Sequence, residues 1–435
     1  MSDLITEPSS ELNSGLGQEL NQELSPKHIY DQKYDAACQF IIKLGTAVHH
    51  YGPSAARLES YLTAVCTTLG YEGVFRSTPS EITFAFSKQD QWWQRTHIAV
   101  VPVGGYNMAK LAEVGNLVEE LVADKITLIE ASKRLDEIEA MPDPWGLWSY
   151  PVSFALVAFG FSGMLEGSLL DNIVSVCLSL VVCALFLLAE KMKGRFLDAL
   201  PFTSAFVAGS CAATVKLWLP ELNESIVILA AIIVLIPGFI ISAGIVEIVE
   251  NYIIAGTARL FGGLVYLIKQ FTGAWLGISF ISLFGDMELN TSLDPNSTSI
   301  ILLSITCLIV GLCLAYQTLL RDCVWVLINC ALAYGIVLST SELLSADIGI
   351  LFGATVASMF ANLWARMTNR PTSIVLIPAI TILVSGSIGF RGLLTAATQQ
   401  ADQGMQMFLQ MFIVALAIAA GLLIANIILR PKISL

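Results

Sequence analysis

The chain falls into two parts with different patterns of apolar and polar positions. Up to about residue 146 apolar residues recur at the periods of surface helices and strands, whereas residues 147–430 form nearly continuous apolar runs. A helix needs about 20 mostly apolar residues to cross the hydrocarbon core of a bilayer. The sequence therefore predicts an α-helical polytopic membrane protein with about ten transmembrane helices, near 148–166, 172–189, 201–219, 226–247, 258–284, 299–318, 323–341, 347–364, 373–390 and 407–429.

The first third of the chain predicts a small α+β soluble domain. Helices are expected over 30–50, 54–69, 106–123 and 127–139, and strands over 73–77, 80–87 and 96–103. In the second strand Ile82, Phe84 and Phe86 alternate with Thr83 and Ala85 and predict its buried face. A capping-box pattern, Thr127 with Glu130, begins the last helix.

The domain limits and the orientation follow from charge. We expect a disordered acidic tail over 1–29, a cytoplasmic α+β domain over 30–146, and membrane halves over 147–284 and 299–430. With the N-terminus inside, outer loops are acidic or uncharged and inner loops carry Lys and Arg, as the positive-inside rule requires. Arg391 is the clear exception. Both termini are expected in the cytoplasm, with the protein in the plasma membrane, the inner membrane in a bacterium.

Two apolar segments are interrupted at matching places in the two halves. IVILAAIIVLIPGFIISAGIVEIVEN is broken at Pro237 and Gly238, and IVLIPAITILVSGSIGFRG at Pro378 and then at Ser385, Gly386 and Ser387. Unwound backbone at membrane depth is tolerated only where it is buried in protein or lines a cavity. We therefore predict a substrate pathway at both breaks, within two inverted five-helix repeats of the kind found in secondary transporters. A simple proline kink, and a chance likeness of small-residue spans, are the alternatives.

Composition excludes several function classes. The chain is 55% hydrophobic and only 13% charged, with a mean hydropathy of +0.71, whereas soluble domains carry about 25% charged residues. A net charge of −12 without a basic stripe argues against nucleic-acid binding. The nine Cys form no CxxC pair and the four His lack ligand spacing, so neither a metal nor a cofactor is expected. Because Ser54 and Ser80 lie in no nucleophile elbow, no enzyme activity is expected either.

Glu247 and Glu250 are the candidates for proton coupling. Their spacing places them on one helical face, and burial would raise a carboxyl pKa toward the working range. Glu247, however, lies about 32 Å along the helix from Ile226, at the cytoplasmic boundary. A solvated helix end explains it equally well.

The remaining candidates lie deeper in the predicted spans. Lys269 lies about 15 Å from Arg259 along its helix, near the midplane, where it would bind a substrate carboxylate or snorkel between two shorter helical pieces. Thr381, Ser385 and Ser387 suit a small hydroxyl-bearing ligand, although such hydroxyls more often satisfy their own backbone. Arg391 is a substrate gate or a contact to lipid headgroups.

Three motifs resemble the threonine/serine exporter family. GPSAARLESYLTAVCTTLG followed by STPSEITFAF resembles its N-terminal domain, with matches at Gly52, Ser54, Arg57, Glu59, Gly70, Thr78, Pro79 and Ser80. Pro237 and Gly238, followed by Glu247 where the family commonly has Asp, and then by Gly256 and Arg259, resemble its Pro-Gly signature. LVSGSIGFRG is similar to a repeat of that signature, with Ser385 in place of Pro.

The resemblance implies export of threonine and serine from the cytoplasm by proton antiport. The expected partners are a small amino acid, protons and the lipid bilayer, and the sequence leaves a homo-oligomer open. The alternatives are a membrane-anchored cytoplasmic hydrolase or ligand-sensing domain, and a channel for small metabolites. A membrane anchor would need neither ten spans nor paired breaks.

Overall fold

A computed structural model describes residues 26–88, 93–101, 105–285, 298–383, 386–397 and 401–431. The part before the membrane helices contains α1 (Pro26–His50), α2 (Ala55–Thr68), β1 (Glu72–Ser77), β2 (Glu81–Ser87), β3 (Arg95–Val100), α3 (Met108–Val122) and α4 (Leu128–Ala140). All seven elements lie within a few residues of their predicted positions. The predicted tail falls outside the described residues up to residue 25, and α1 begins at Pro26.

The strands form an antiparallel sheet in the order β1-β2-β3. β2 lies in the middle, and its residues Ile82, Phe84 and Phe86 are buried against the helices, as the alternation predicts. The capping box at the start of α4 is also confirmed, because Thr127 and Glu130 bind each other's backbone N–H groups. The period-2 and capping patterns therefore determine the local structure of this N-terminal domain.

The rest of the chain is helical. Its elements are α5 (Ser149–Met164), α6 (Leu169–Met192), α7 (Arg195–Trp218), α8 (Glu224–Ile232), a 3₁₀ turn (Ile233–Leu235), α9 (Gly238–Val249), α10 (Ile253–Ser282), α11 (Thr298–Ala315), α12 (Leu320–Leu343), α13 (Ala346–Thr368), α14 (Ser373–Leu383), α15 (Gly386–Ala397) and α16 (Ala401–Ile428).

By length and composition, the described residues hold seven or eight candidate membrane spans. Seven helices are long and apolar enough to span a bilayer, if α14 and α15 are counted as one. The bent pair of α8 and α9 makes the eighth. The runs predicted at 148–166 and 299–318 correspond to two shorter apolar helices, α5 and α11. The predicted number of ten is reached only when these two are included.

The two membrane halves repeat the same contacts. A Cβ added to Gly244 would lie 2.7 Å from Leu260 N, and one added to Gly392 would lie 2.7 Å from Phe408 N. α9 therefore packs closely against α10, and α15 packs closely against α16 at the corresponding position.

The first helices of the two halves run antiparallel to each other. A Cβ on Gly160 of α5 would lie 2.6 Å from Leu308 Cβ of α11, and a Cβ on Gly311 would lie 2.9 Å from Val157 N. Moving backward along α5 thus corresponds to moving forward along α11. The turns that follow these helices are alike, since Glu166 and Gln317 both adopt positive φ, 59° and 52°.

The N-terminal domain docks on one end of the helix bundle. At the start of α3, Met108 N donates to Tyr316 O at 3.0 Å and Ala109 N donates to Gln317 O at 3.2 Å, just beyond the end of α11. Arg321 pairs with Glu113 of α3 at 3.0 Å. The domain lies on the side of the bundle that holds the loops for which the charge pattern predicts a cytoplasmic position.

Candidate functional site

The first break separates α8 and α9 by a bend of 60°. Pro237 has no backbone N–H, so the helical hydrogen-bond ladder cannot continue through it. The Leu235 carbonyl that the break releases accepts a hydrogen bond from Gln270 Nε2 of α10 at 3.1 Å. Gln270 is fully buried, and this hydrogen bond from a neighbouring helix stabilises the break. Nothing in the sequence pattern singled it out.

The first break contacts the second predicted one at Gly386. A Cβ added to Gly386 would lie 2.4 Å from Gly238 Cα and 2.9 Å from Gly238 N. Only a residue without a side chain fits such a contact between two backbones. α9 begins at Gly238, so the N-terminus of this helix faces Gly386. Residues 384 and 385, which precede Gly386, lie outside the described residues.

A central cavity of about 390 Å³ lies beside this contact. Five of the residues predicted for the substrate pathway line it: Pro237, Gly238, Thr381, Gly386 and Ser387. Ser385 lies outside the described residues. α5, α10 and α11 form further walls of the cavity, so both halves enclose it.

The walls are mainly apolar, with a few hydroxyl groups. The Tyr316 hydroxyl lies 2.8 Å from Thr381 Oγ1, and Thr381 Oγ1 donates to Ile377 O at 2.8 Å. Because Thr381 has only one hydroxyl proton, Tyr316 is the donor in the first bond. Thr381 therefore satisfies its own helix backbone, as membrane hydroxyls often do, while it also holds Tyr316 at the cavity wall.

Tyr106 of the N-terminal domain closes one end of the central cavity. Its ring packs edge-on against Phe239, with centroids 5.5 Å apart, and against Tyr316, 5.4 Å apart. Gly52 supports the ring from behind, since a Cβ there would lie 2.3 Å from Tyr106 Cδ1 and its φ is +97°. The sequence motif contained Gly52 but gave no signal for Tyr106 or Tyr316.

Glu247 joins the membrane helices to the N-terminal domain. It is fully buried, accepts a hydrogen bond from Ala55 N at 2.9 Å, and pairs with Arg259 Nε at 3.0 Å. Ser54 occupies the N-cap position of α2 without a side-chain capping bond. Glu247 therefore caps α2 in its place, and it lines neither of the two cavities described in this section.

Glu250, by contrast, faces an interface cavity of about 350 Å³ between the N-terminal domain and the bundle. Arg57 of α2 lines the same cavity, and its Nη1 donates to Ser373 Oγ at 3.3 Å. Burial raises the pKa of the Glu250 carboxyl, and the Arg57 guanidinium opposes part of that rise. Glu59 points elsewhere, to Arg76, as its spacing from Arg57 predicts.

Two other predicted site residues lie outside both cavities. Lys269 is exposed on α10, and its Nζ donates to Asp198 O at 3.3 Å. Arg391 is exposed on α15. Sequence depth alone placed these cations near the pathway, but the direction in which each side chain leaves its helix points them away from the cavities. Among the described residues, no group of three or more His, Cys, Asp or Glu could hold a metal ion.

Two family models match the chain, one before residue 282 and the other after residue 299. The model described as a putative threonine/serine exporter matches residues 39–281. The model described as Threonine/Serine exporter, ThrE, matches residues 300–428. The two matches together cover most of the chain.

The curated relatives include several yeast membrane proteins. Pheromone-regulated membrane protein 10 of Pichia sorbitophila is 24% identical over 385 residues, which cover 84% of this chain and 38% of that protein. The protein of the same name from Saccharomyces cerevisiae is 23% identical over 381 residues, 84% of this chain and 48% of that protein. The chain thus spans less than half the length of these two relatives. No solved structure is significantly similar to the chain.

Proposed function

The chain belongs to the threonine/serine exporter family, and we propose that it exports threonine and serine from the cytoplasm in exchange for protons. The observation that carries this proposal is the contact of Gly238 with Gly386 beside the central cavity. Broken helices that meet beside a cavity are typical of substrate sites in secondary transporters.

The central cavity suits a small amino acid. Helix N-termini carry a partial positive charge and unsatisfied N–H groups, and the N-terminus of α9 lies at the contact of Gly238 with Gly386. A substrate carboxylate would bind at the N-terminus of α9, and the hydroxyl groups of Tyr316 and Ser387 would face the hydroxyl group of threonine or serine. The proposed pathway comprises Pro237, Gly238, Thr381, Ser385, Gly386 and Ser387; Lys269 and Arg391 are left out of it.

The transporter consists of ten helices in two inverted five-helix repeats, over 147–284 and 299–430. Three observations support this: the matching glycine contacts of α9–α10 and α15–α16, the antiparallel packing of α5 on α11, and the contact between the two corresponding breaks. A residue that contacts its own counterpart lies close to the pseudo-two-fold axis between the repeats. A site on that axis is accessible to both halves, which alternating access requires.

The N-terminal domain, over 30–146, lies in the cytoplasm, and both termini share that side. The docking of this domain at the end that carries most of the loop Lys and Arg supports the orientation. We assign the protein to the plasma membrane, which in a bacterium is the inner membrane.

Glu250 is the proton carrier in this proposal. A carboxyl that faces a cavity and has a pKa above its ordinary value can take up and release a proton there, whereas Glu247 is occupied by Ala55 N and Arg259. The test is efflux of labelled threonine from proteoliposomes under an imposed proton gradient, with and without a protonophore. The proposal predicts that collapse of the gradient abolishes concentrative flux. Flux that ignores the gradient identifies a channel, and no threonine flux at all contradicts the export of this substrate.

A further inference from the structure

The interface cavity brings two opposite charges from separate parts of the chain to one space. Arg57 lies in the first turns of α2 in the N-terminal domain, and Glu250 directly follows α9. Among the described residues they form no direct ion pair: Arg57 donates to Ser373, and the Glu250 carboxylate accepts no hydrogen bond. Two half-buried charges that face each other across a gap carry a desolvation cost that neither fully relieves.

A third polar group faces the same space. Ser242 of α9 is 1% exposed and lines the cavity, and its hydroxyl has no hydrogen-bond partner. Buried hydroxyl groups almost always have a partner. Eight buried hydroxyl groups of the described residues lack one, and of these Ser242 alone lines the interface cavity, where a ligand would supply the partner.

The shape of the cavity limits the ligand. A volume of about 350 Å³ is at the low end of small-molecule sites, which range from about 300 to 1,000 Å³. Leu376, Ile377, Ile380 and Ile418 line the walls between the charges. A fitting ligand is small and carries one anionic group, one cationic group and a short side chain.

We propose that the interface cavity binds the α-carboxylate of an amino acid at Arg57 and its α-ammonium at Glu250, with Ser242 facing the side-chain hydroxyl. Arginine presents a planar fork of N–H donors that matches a carboxylate. The N-terminal domain thereby supplies half of a binding site whose other half belongs to the membrane helices. This inference rests on the proposed function for the identity of the amino acid, and it adds a cytoplasmic site before the central cavity.

Ligand analogues that lack one charge test the two pairings separately. The full-length protein in lipid nanodiscs is titrated with L-threonine, with 1-amino-2-propanol, which lacks the carboxylate, and with 3-hydroxybutyrate, which lacks the ammonium. Arg57→Gln is expected to weaken the binding of threonine and 3-hydroxybutyrate by about tenfold or more and to leave the binding of 1-amino-2-propanol unchanged. Glu250→Gln is expected to weaken the binding of threonine and 1-amino-2-propanol and to leave the binding of 3-hydroxybutyrate unchanged.

Arg321→Gln and Glu113→Gln are the matched controls. They remove an ion pair at the same domain interface but outside the cavity, so all three ligands should bind them as they bind the wild type. Arg57→Lys and Glu250→Asp keep the charges and should retain threonine binding in part. These two variants replace the neutral ones if the neutral ones do not fold. The affinities for the three ligands should then change in the same pattern but by smaller factors.

The outcomes separate this inference from the proposed function. If gradient-driven threonine flux persists but Arg57→Gln weakens all three ligands equally, or none of them, Arg57 only holds the domains together and the inference is overturned. If the wild type neither binds nor moves threonine, the proposed function and the inference are overturned together.

Discussion

At the scale of single residues, Glu247 shows how one carboxylate can be assigned two different tasks. Its position after the Pro-Gly break made it a candidate proton carrier, and its distance from Ile226 placed it at the end of the helix. In the fold this end is covered by α2, so the carboxylate caps that helix and pairs with Arg259. Its partner Ala55 is remote in sequence, and no local pattern reveals such a contact.

Glu247→Gln is expected to destabilise the protein rather than to uncouple it. Gln keeps an acceptor for Ala55 N but leaves the Arg259 charge without its partner, which costs roughly 3 kcal/mol when a buried pair is broken. Thermal unfolding should show a clear decrease in Tm. Glu113→Gln, which breaks the more exposed pair with Arg321, should cost about 0–1 kcal/mol. An unchanged Tm with loss of gradient dependence would instead make Glu247 a proton carrier.

His49 predicts an acid sensitivity of the N-terminal domain. Its Nε2–H donates to Thr78 O at 2.9 Å, and burial lowers its pKa below the ordinary value of 6.5. The folded state therefore binds fewer protons than the unfolded state, so His49 contributes stability above pH 6.5 that is lost as the pH falls through the lowered pKa. Between pH 7 and 5, the free energy of unfolding of the wild type should fall by on the order of 1 kcal/mol more than that of His49→Gln.

The exposed His97 supplies the control for that measurement. His97→Gln should retain the acid sensitivity of the wild type, because its ring has no buried environment to lose. If His49→Gln and His97→Gln follow the same pH profile as the wild type, the buried ring is not the source of the sensitivity.

At the scale of elements, the first break was predictable in position but not in its contacts. Pro237 and Gly238 identify it by their backbone chemistry, whereas the second predicted break, at Ser385, lies outside the described residues. The contact between Gly238 and Gly386 follows from the packing of two halves, which a single sequence does not contain. The hydrogen bond of Gln270 to the first break was missed for the same reason.

Helix boundaries were predicted best where the pattern was regular. The strands and helices of the N-terminal domain agree with the alternation and the capping box, since these signals are local. The number of spans was predicted less well, because hydropathy does not distinguish the short helices α5 and α11 from full-length spans. Lys269 shows the same limit, as depth along a helix does not give the direction of a side chain.

Gly386→Ala tests the contact between the breaks. The added Cβ would meet Gly238 backbone atoms that cannot move aside independently, so α9 and α15 must separate. We expect loss of threonine transport and a Tm decrease equivalent to roughly 1–3 kcal/mol of overpacking. Gly335→Ala on α12 is the matched control, since a Cβ there meets nothing within 4 Å. Normal transport by Gly386→Ala would show that transport does not depend on the contact of Gly386 with Gly238.

At the scale of the whole molecule, the N-terminal domain links the two groups of membrane helices. It contacts both halves, through Ala55 with Glu247 in the first and through Met108 with Tyr316 in the second. Tyr106 closes one end of the central cavity between residues of both halves, Phe239 and Tyr316. Movement of one half against the other would therefore shift this domain.

Tyr106→Ala should open that end of the cavity. Without the ring, the contacts with Phe239 and Tyr316 are lost, and we expect a several-fold increase in threonine leak without a gradient and weaker gradient dependence. The measurement is passive threonine flux in proteoliposomes. Trp93→Ala removes an exposed aromatic ring from the same domain and should leave the leak at the wild-type rate. An equal leak in both variants would show that Tyr106 closes nothing.

The central claim is that the amino acid binds in the central cavity beside the contact of Gly238 with Gly386, and protection of Ser387 tests it most directly. Ser387→Cys is reacted with a small maleimide in proteoliposomes, with and without L-threonine, and labelling at position 387 is quantified by peptide mass spectrometry. Ser80→Cys, at an exposed turn of the N-terminal domain, is the control. The account predicts that L-threonine slows labelling at 387 and leaves it unchanged at 80. Labelling at 387 that is unaffected by threonine, in protein that still transports it, would contradict the account.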